Sequence, residues 1–294
     1  MTATAYAPQT HSISSLWEEL ITDRTPALCA TTLGSDYRQA TSWFGRCPYQ
    51  EPKDARKAAG WLLAQPHPKS GRKMLMYLRL LMRWACSEEI RLLDHNPLKT
   101  YSLPKPPQSD DEIVVIPRVE IPLVIASLLP TSTERPDWTK VAELMVQTGL
   151  RTGEVFALRW DDIKDGQLLV HQNYTLTHGL KASTKTNKRR RVPLNAVAEG
   201  VLETLPRDGD FIFPAAKWNR KTFQTHFYSR MEQLHNSGLI SHRYRPYDLR
   251  HTALSLWLEA GVVVTQVAKW AGNSPQIVFK HYVNTTQDFE MPVI

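Results

Sequence analysis

The chain has 294 residues, 42% of them apolar, with 36 Lys and Arg against 29 Asp and Glu and a net charge of +7. That length suits two ordinary domains with real cores, and the basic balance is compatible with a nucleic-acid partner while deciding little alone. Cys29, Cys47 and Cys86 are an odd set without metal-ligand spacing, which argues against a disulfide framework and a zinc site and for reduced, cytoplasmic thiols.

No apolar run reaches the length of a membrane span, and MTATAYAPQTHS lacks a basic start followed by an apolar run, so neither a membrane partner nor a secretory signal is expected. Residues 1–11 read as a small, polar, flexible tail. Ile13, Leu16, Trp17 and Leu20 recur at helical spacing and predict a helix over Ser12–Thr22. Leu33–Phe44 reads as a second helix, with Tyr37 and Trp43 in the core. Pro52–Gln65 is a third, opening on a proline and carrying Lys53, Arg56 and Lys57. Ser70–Glu89 is the longest. Leu75, Leu78, Leu81, Met82 and Ala85 form its buried stripe, and Lys69, Arg72, Lys73, Arg79 and Arg83 decorate the rest. Residues 12–102 are thus expected to form a small helical domain. For any one of its basic residues a solvated helix face is the simpler reading. The stretch Asn96–Asp111, NPLKTYSLPKPPQSDD, is rich in proline and poor in large apolar residues. It predicts an extended linker, bounded at 103–116.

The second domain is expected over 117–294. Arg118–Leu129 and Trp138–Thr148 read as helices. Gly149 breaks the second, Arg151 sits just beyond, and Glu154–Trp160 reads as a short helix. Leu168, Val170 and Tyr174 suggest a strand in Gln167–Thr175, with its return at Arg190–Leu194. Between them KASTKTNKRRR is dense in positive charge, as a nucleic-acid-facing hairpin or a solvated basic loop would be. Phe211–Pro214 reads as a short strand or turn and Thr222–Leu234 as a helix.

The stretch Arg245–Tyr282 then reads RPYDLRHTALSLWLEAGVVVTQVAKWAGNSPQIVFKHY. Pro246 suits a first helical turn, and Tyr247, Arg250 and His251 fall three and four residues apart on one face. An arginine at a helix start suits phosphate, because the free N–H groups and the guanidinium both attract an anion. Ala253, Leu254, Leu256, Trp257 and Leu258 form an apolar body, and Gly261 ends the helix. A second helix, Thr265–Trp270, stops at Gly272. Ser274 and Pro275 cap and open a third that ends near Tyr282. Three short helices in this order can fold an arginine and a tyrosine towards one point. Spacing alone does not say that the tyrosine reacts.

The order Arg151, Lys185, Tyr247-Asp-Leu-Arg250-His, Asn273 and Tyr282 resembles the tyrosine recombinases, the phage-integrase family. That family shows an RTGE-like arginine box, a lysine in a β-hairpin and an H-x-x-R box. A Gly-His or Gly-Trp element follows, with a tyrosine nine residues further on. This chain has LRTGEVFALRW, STKTNKRRRVPL, YDLRH, AGNS and HY at matching positions, over roughly Pro117 to Val283. No single motif is specific; the five in order are.

The resemblance implies a mainly α fold with a small β-sheet (α+β): an N-terminal four-helix domain that clamps DNA and a C-terminal catalytic domain. It implies a catalytic set of Tyr282, Arg151, Arg250, Lys185, Tyr247 and Asn273, supported by Glu154 and His251. It implies DNA contacts from Arg72, Lys73, Arg79, Arg189, Arg190, Arg243 and Arg245. Lys185 is singled out because the family's lysine precedes an RxVPL-like strand by a similar distance; on the residues alone, Lys181 and Lys188 are rivals. Tyr247 stands where the family usually has histidine, and Asn273 where it usually has histidine or tryptophan. Both can hydrogen-bond a phosphate oxygen; neither can carry a positive charge.

The implied reaction is phosphoryl transfer without water. Tyr282 attacks a DNA phosphate, giving a 3′-phosphotyrosyl link and a free 5′-hydroxyl, and a 5′-hydroxyl from a second strand then rejoins the backbone. No metal and no other cofactor is implied. The implied partners are double-stranded DNA with paired recombination sites, a homotetramer on that DNA, and an accessory DNA-bending or directionality factor, with a cytoplasmic location, at a prokaryotic nucleoid or for a phage-encoded chain. The apolar tail of Phe289, Met291, Val293 and Ile294 is expected to pack on a neighbouring subunit. Two rival readings use the same residues. One is a catalytically weakened DNA-binding protein of this fold, which the departures at Tyr247 and Asn273 would suit. The other is strand cleavage of the type IB topoisomerase kind, which needs no paired sites.

Overall fold

A computed structural model describes residues 11–28, 30, 32–103, 113–181 and 189–282. The chain divides into two compact units, Met1–Asp110 and Asp111–Ile294. Residues 1–10 of the expected N-terminal tail, the C-terminal tail from Val283 and the segment holding Lys185 and Lys188 lie outside the described residues. Among the described residues no helix is long and apolar enough to cross a membrane.

In the first unit, α1 (Ile13–Arg24) begins where the Ser12 hydroxyl accepts a hydrogen bond from the Ser15 amide. The chain enters α2 (Arg38–Arg46) through a π-helical turn at Thr32–Tyr37, and α3 (Ala55–Leu63) through a 3₁₀ turn at Pro52–Asp54. The longest helix, α4, spans Pro68–Ala85. It starts two residues before the predicted Ser70, because Pro68 fills the first turn, where no N–H is required. Trp17 is the hub of the core, with ring centroids 4.9 Å from Tyr37, 5.1 Å from Phe44 and 5.7 Å from Tyr77. Trp43, expected in the core, is half-buried at its margin beside Trp61. The helical stripe runs instead through Tyr37, Ala40 and Phe44, which points Trp43 sideways.

The first residues of the stretch Asn96–Asp111 pack on the first unit, ahead of the linker expected over 103–116. Leu98 is buried against the first core, and Arg56 donates to the Pro97 carbonyl and the Thr100 hydroxyl at 3.1 and 2.7 Å. Residues 104–111 of that stretch lie outside the described residues.

The second unit runs α5 (Ile121–Ala126), α6 (Thr139–Thr148), α7 (Thr152–Val155), β1 (Ile163–Lys164), β2 (Gln167–Val170), β3 (Asn173–Thr175), β4 (Gly179–Lys181) and β5 (Arg190–Pro193). It continues with α8 (Ala196–Glu203), α9 (Arg220–Asn236), α10 (Pro246–Glu259), α11 (Val264–Ala271) and α12 (Pro275–Tyr282). The predicted α/β balance therefore holds: among the described residues the unit is mainly helical with two small antiparallel sheets, β1-β2-β5 and β3-β4.

Several boundaries moved. The single strand predicted over Gln167–Thr175 breaks after Val170, and its halves join different sheets. The helix predicted over Glu154–Trp160 is the short α7, starting at Thr152, and a separate 3₁₀ turn at Trp160–Asp162. Only Ile121–Ala126 of the predicted Arg118–Leu129 is α-helix. The helix α8, for which no element was predicted, opens on an Asn195 cap.

An aromatic cluster of Trp138, Phe156, Phe213, Trp218 and Phe223 fills the main core. A smaller core of Ala253, Leu254, Val267, Ala268, Ala271, Val278 and Tyr282 ties α10, α11 and α12 together. Gly149, at φ 60°, closes α6 in the left-handed conformation, and a Cβ there would lie 2.8 Å from the Trp257 ring and 2.9 Å from Leu254. Glycine thus lets the end of α6 lie directly on α10 and sets where Arg151, two residues on, can reach.

Candidate active site

Two helices in this unit start in the same way. At α7, Glu154 turns back to accept the Arg151 amide at 2.9 Å, and at α10, Asp248 accepts the Arg245 amide at 2.7 Å. An acidic residue in the first turn satisfies a backbone donor that has no helical partner and sits favourably on the helix dipole.

Glu154 does more than cap. Its buried carboxylate takes one bond from Arg151 Nη1 at 2.9 Å and a bidentate pair from Arg190 at 3.0 and 2.6 Å. Burial works against the charge of Glu154, but the hydrogen bonds and charge of Arg190, with the charges of Arg151 and Arg250, outweigh it. They hold the carboxyl below its ordinary value.

Arg190 was expected to contact DNA, and the structure corrects this. The residue is buried, its guanidinium is held by Glu154, and its Nε donates to the Trp270 carbonyl at 2.7 Å. The cause is strand alternation: along β5, Arg190 and Val192 face inwards while Arg191 and Pro193 face out. Arg190 therefore ties three pieces together, namely β5, the Arg151 box and the last turn of α11. The signal was present in the sequence, since inward Val192 places Arg190, two residues earlier, on the same side.

The remaining DNA-contact candidates are partly exposed or exposed. Arg189 is exposed, Arg72 and Arg79 are partly exposed, and the Lys73 ammonium pairs with Asp36 at 2.7 Å. Arg243 and Arg245 are exposed and bonded within their own neighbourhood, to Asn236 and Asp248.

Asn273 is the meeting point. Its Oδ1 accepts from Arg151 Nη2 at 2.9 Å and from Arg250 Nη2 at 3.3 Å. Gly272, at φ 66°, turns the chain out of α11 so that this amide faces the two guanidiniums. Arg250 is fully buried, giving Nη1 to the Gly149 carbonyl at 2.6 Å and Nη2 to the Ala271 carbonyl at 2.7 Å. Its buried Nε has no hydrogen-bond partner among the described residues. Burial first, then the like charge of Arg151, lowers the Arg250 pKa to about 10, so it stays cationic at neutral pH.

Tyr282 is buried at the end of α12, and its hydroxyl lies 2.6 Å from Nδ1 of His251. Burial holds this phenol above its ordinary value, while the charges of Arg250 and Arg151 pull it the other way. The His251 imidazole is pushed down to about 4, chiefly by burial. Tyr247 stands edge-on to His251, ring centroids 4.7 Å apart, and is 41% exposed.

The fold thus brings Arg151, Arg250, Asn273, Glu154, Tyr247, His251 and Tyr282 into one neighbourhood. It places Arg190 among their supports and leaves Lys185 outside the described residues. The arrangement can hold an anion between two guanidiniums and an amide, beside a phenol that is bonded to an imidazole.

The family model described as the phage integrase family matches residues 125–288. The chain is 25% identical over 224 residues to tyrosine recombinase XerD of Yersinia pestis, covering 70% of this chain and 67% of that protein. Among solved structures, the Tn1549 transposon integrase in complex with circular intermediate DNA superposes with a TM-score of 0.74 at 14% identity, covering 92% of this chain and 95% of the other. A lambda integrase tetramer bound to a Holliday junction gives a TM-score of 0.69 at 16% identity, covering 93% of this chain and 83% of the other. At those identities the two superpositions speak for the fold.

Proposed function

Because the chain belongs to the phage integrase family of tyrosine recombinases, we propose that it cuts and rejoins DNA strands at specific sites through a phosphotyrosyl link to Tyr282. The observation that carries the reading is the shared grip of Arg151 and Arg250 on Asn273, in one neighbourhood with the Tyr282 hydroxyl.

The chemistry follows from the charges. As the phenolic oxygen closes on phosphorus, negative charge gathers on the non-bridging oxygens. Arg151 and Arg250 neutralise it by fixed, charge-assisted hydrogen bonds. With its Oδ1 occupied by both arginines, Asn273 turns its NH₂ away from them, ready to donate to a phosphate oxygen. Arg250 Nε is a buried donor that such an oxygen would satisfy. Lys185 is assigned the protonation of the leaving 5′-oxygen. The covalent link conserves the phosphodiester, so the second strand can attack without any energy source.

The relatives of known structure were captured on DNA, one of them as a tetramer on a Holliday junction. We carry that over as a homotetramer acting on paired sites, with the tail from Val283 packing on a neighbouring subunit. Arg72, Lys73, Arg79, Arg189, Arg243 and Arg245 are assigned to the DNA backbone, with an accessory DNA-bending or directionality factor setting the direction of exchange.

The test is capture on a nicked suicide duplex, chosen by the wild-type chain from a randomised pool. A covalent adduct that survives denaturation, with the phosphate mapped to Tyr282, is expected. An adduct on another residue, or none from any duplex that binds, refutes the reading.

Tyr247 is given a smaller part. Its hydroxyl can donate one hydrogen bond, and its role is one such bond to the phosphate. Tyr247→Phe is expected to slow adduct formation about 10- to 100-fold, the worth of one hydrogen bond to a charged group, with DNA binding nearly unchanged. Single-turnover rates measure this; an unchanged rate would remove Tyr247 from the site.

A further inference from the structure

We propose that His251 is the catalytic group that takes the proton from Tyr282 during strand cleavage. The inference rests on the phosphotyrosyl reading above and supplies it with a base, which the family's usual histidine cannot do here because Tyr247 stands in its place.

Geometry comes first. His251 Nδ1 lies 2.6 Å from the Tyr282 oxygen, and the two rings are 5.6 Å apart and tilted by 38°. In the tautomer with its proton on Nε2, the imidazole accepts the phenolic O–H along this contact. The neighbouring carboxylates are committed elsewhere. Both oxygens of Glu154 are held by Arg190 and Arg151, and both oxygens of Asp248 by Arg245. Burial keeps His251 neutral at pH 7, the form a proton acceptor needs.

The step balances. In cleavage the Tyr282 oxygen bonds to phosphorus, the phosphorus–O5′ bond breaks, and the phenolic proton passes to His251 Nδ1. The departing 5′-oxygen takes its proton from the assigned general acid, Lys185. In rejoining, the incoming 5′-hydroxyl gives its proton to that lysine and attacks phosphorus, and the imidazolium returns its proton to the departing Tyr282 oxygen. No proton is gained or lost over the cycle.

The charged and titratable groups facing His251 fix the sign of its response. From α10 these are Tyr247, Asp248 and Arg250, with Arg245 at its cap; from α12 they are His281 and Tyr282. Asp248 favours the imidazolium; Arg250, Arg245 and His281 oppose it. A DNA phosphate in the pocket adds negative charge and helps the imidazole accept the proton when Tyr282 attacks.

The experiment compares wild type, His251→Asn and His251→Gln on the duplex that wild type selects from the randomised pool. Asparagine keeps an amide near the Nδ1 position and so preserves a hydrogen bond without basicity. DNA binding and melting of His251→Asn are expected to match wild type, with adduct formation slowed about 10²- to 10⁴-fold. The variant's rate should climb about tenfold per pH unit towards the alkaline range, as the phenol must ionise unaided, where wild type is level.

A second duplex with sulfur in place of the bridging 5′-oxygen needs no proton on its leaving group. It should rescue loss of a general acid and leave His251→Asn slow. Adduct formation within about threefold of wild type, rescue by the sulfur duplex, or a wild-type pH profile in both amide variants overturns the assignment of His251. Wild type that forms no adduct with any duplex in the pool overturns the recombinase reading itself, and this inference with it.

Discussion

Tyr282→Phe is expected to bind its DNA site as wild type does and to form no covalent adduct. The ring is buried in the α10–α12 core, and phenylalanine keeps that packing. What is removed is one oxygen and its contact with His251. A single hydrogen bond of this kind is worth about 1 kcal/mol, so melting should fall by only about 2–4 °C in a unit of this size. Catalysis should fall on the order of 10⁶-fold, the scale on which loss of a nucleophile acts.

The same comparison separates the rival readings. A protein that only binds DNA gives identical traces for wild type and variant, with no adduct in either. An enzyme of the topoisomerase kind relaxes supercoiled DNA without a second site, whereas a recombinase yields joined products only when paired sites are present. Measuring both products on one plasmid with one site, and on another with two, decides between them. Adduct formed by Tyr282→Phe would remove Tyr282 from the chemistry.

How much of this was legible in the sequence differs by scale. Helical period placed α1, α6 and α9 within a few residues, because each buries an apolar stripe, and Pro246 and Gly261 bracketed α10. Short elements were less legible. α7 is a single turn held by the Glu154 cap rather than by an apolar face, and the break after Val170 is set by which strand each half pairs with. The helix α8 opens on Asn195, a cap signal in plain view that no predicted element used. In the site, the ordered motifs pointed to Arg151, Arg250, Asn273 and Tyr282, and these lie together. The shared grip on Asn273 was not legible, since Arg151 and Asn273 are 122 positions apart and only the folded chain brings them into contact. Charge misled at Arg190, where a basic run reads as a nucleic-acid face and strand alternation turns one member of that run inwards.

Glu154→Gln is expected to be the most destabilising single change in the site. Glu154 is the carboxylate bonded to Arg190 and Arg151, and Arg250 adds a third cation to its surroundings. Removing one partner of a buried ion pair strands the other charge, at a cost of about 3–5 kcal/mol. For a unit of this size that is a fall in melting temperature of roughly 6–20 °C. The cost should be specific to the uncompensated cation. Adding Arg190→Met to Glu154→Gln should recover part of the loss, so the double variant should cost less than the two single changes added together.

The pH dependence gives an independent check. The folded pKa of Glu154 lies below its ordinary value of 4.5, so its contribution is complete above that value and is lost as pH falls through the folded pKa. His251 acts in a higher window. Its folded pKa, about 4, lies below the ordinary 6.5, so the unfolded chain takes up its proton first and stability falls as pH drops from 6.5 towards 4. Calorimetry of the full chain should therefore show wild type losing stability in both windows. Glu154→Gln should keep the upper loss and lack the lower, and His251→Asn the reverse. A Glu154→Gln transition within about 1 °C of wild type at pH 7, on the scale of ordinary surface substitutions, would mean that the guanidiniums of Arg190 and Arg151 are not held by this carboxylate.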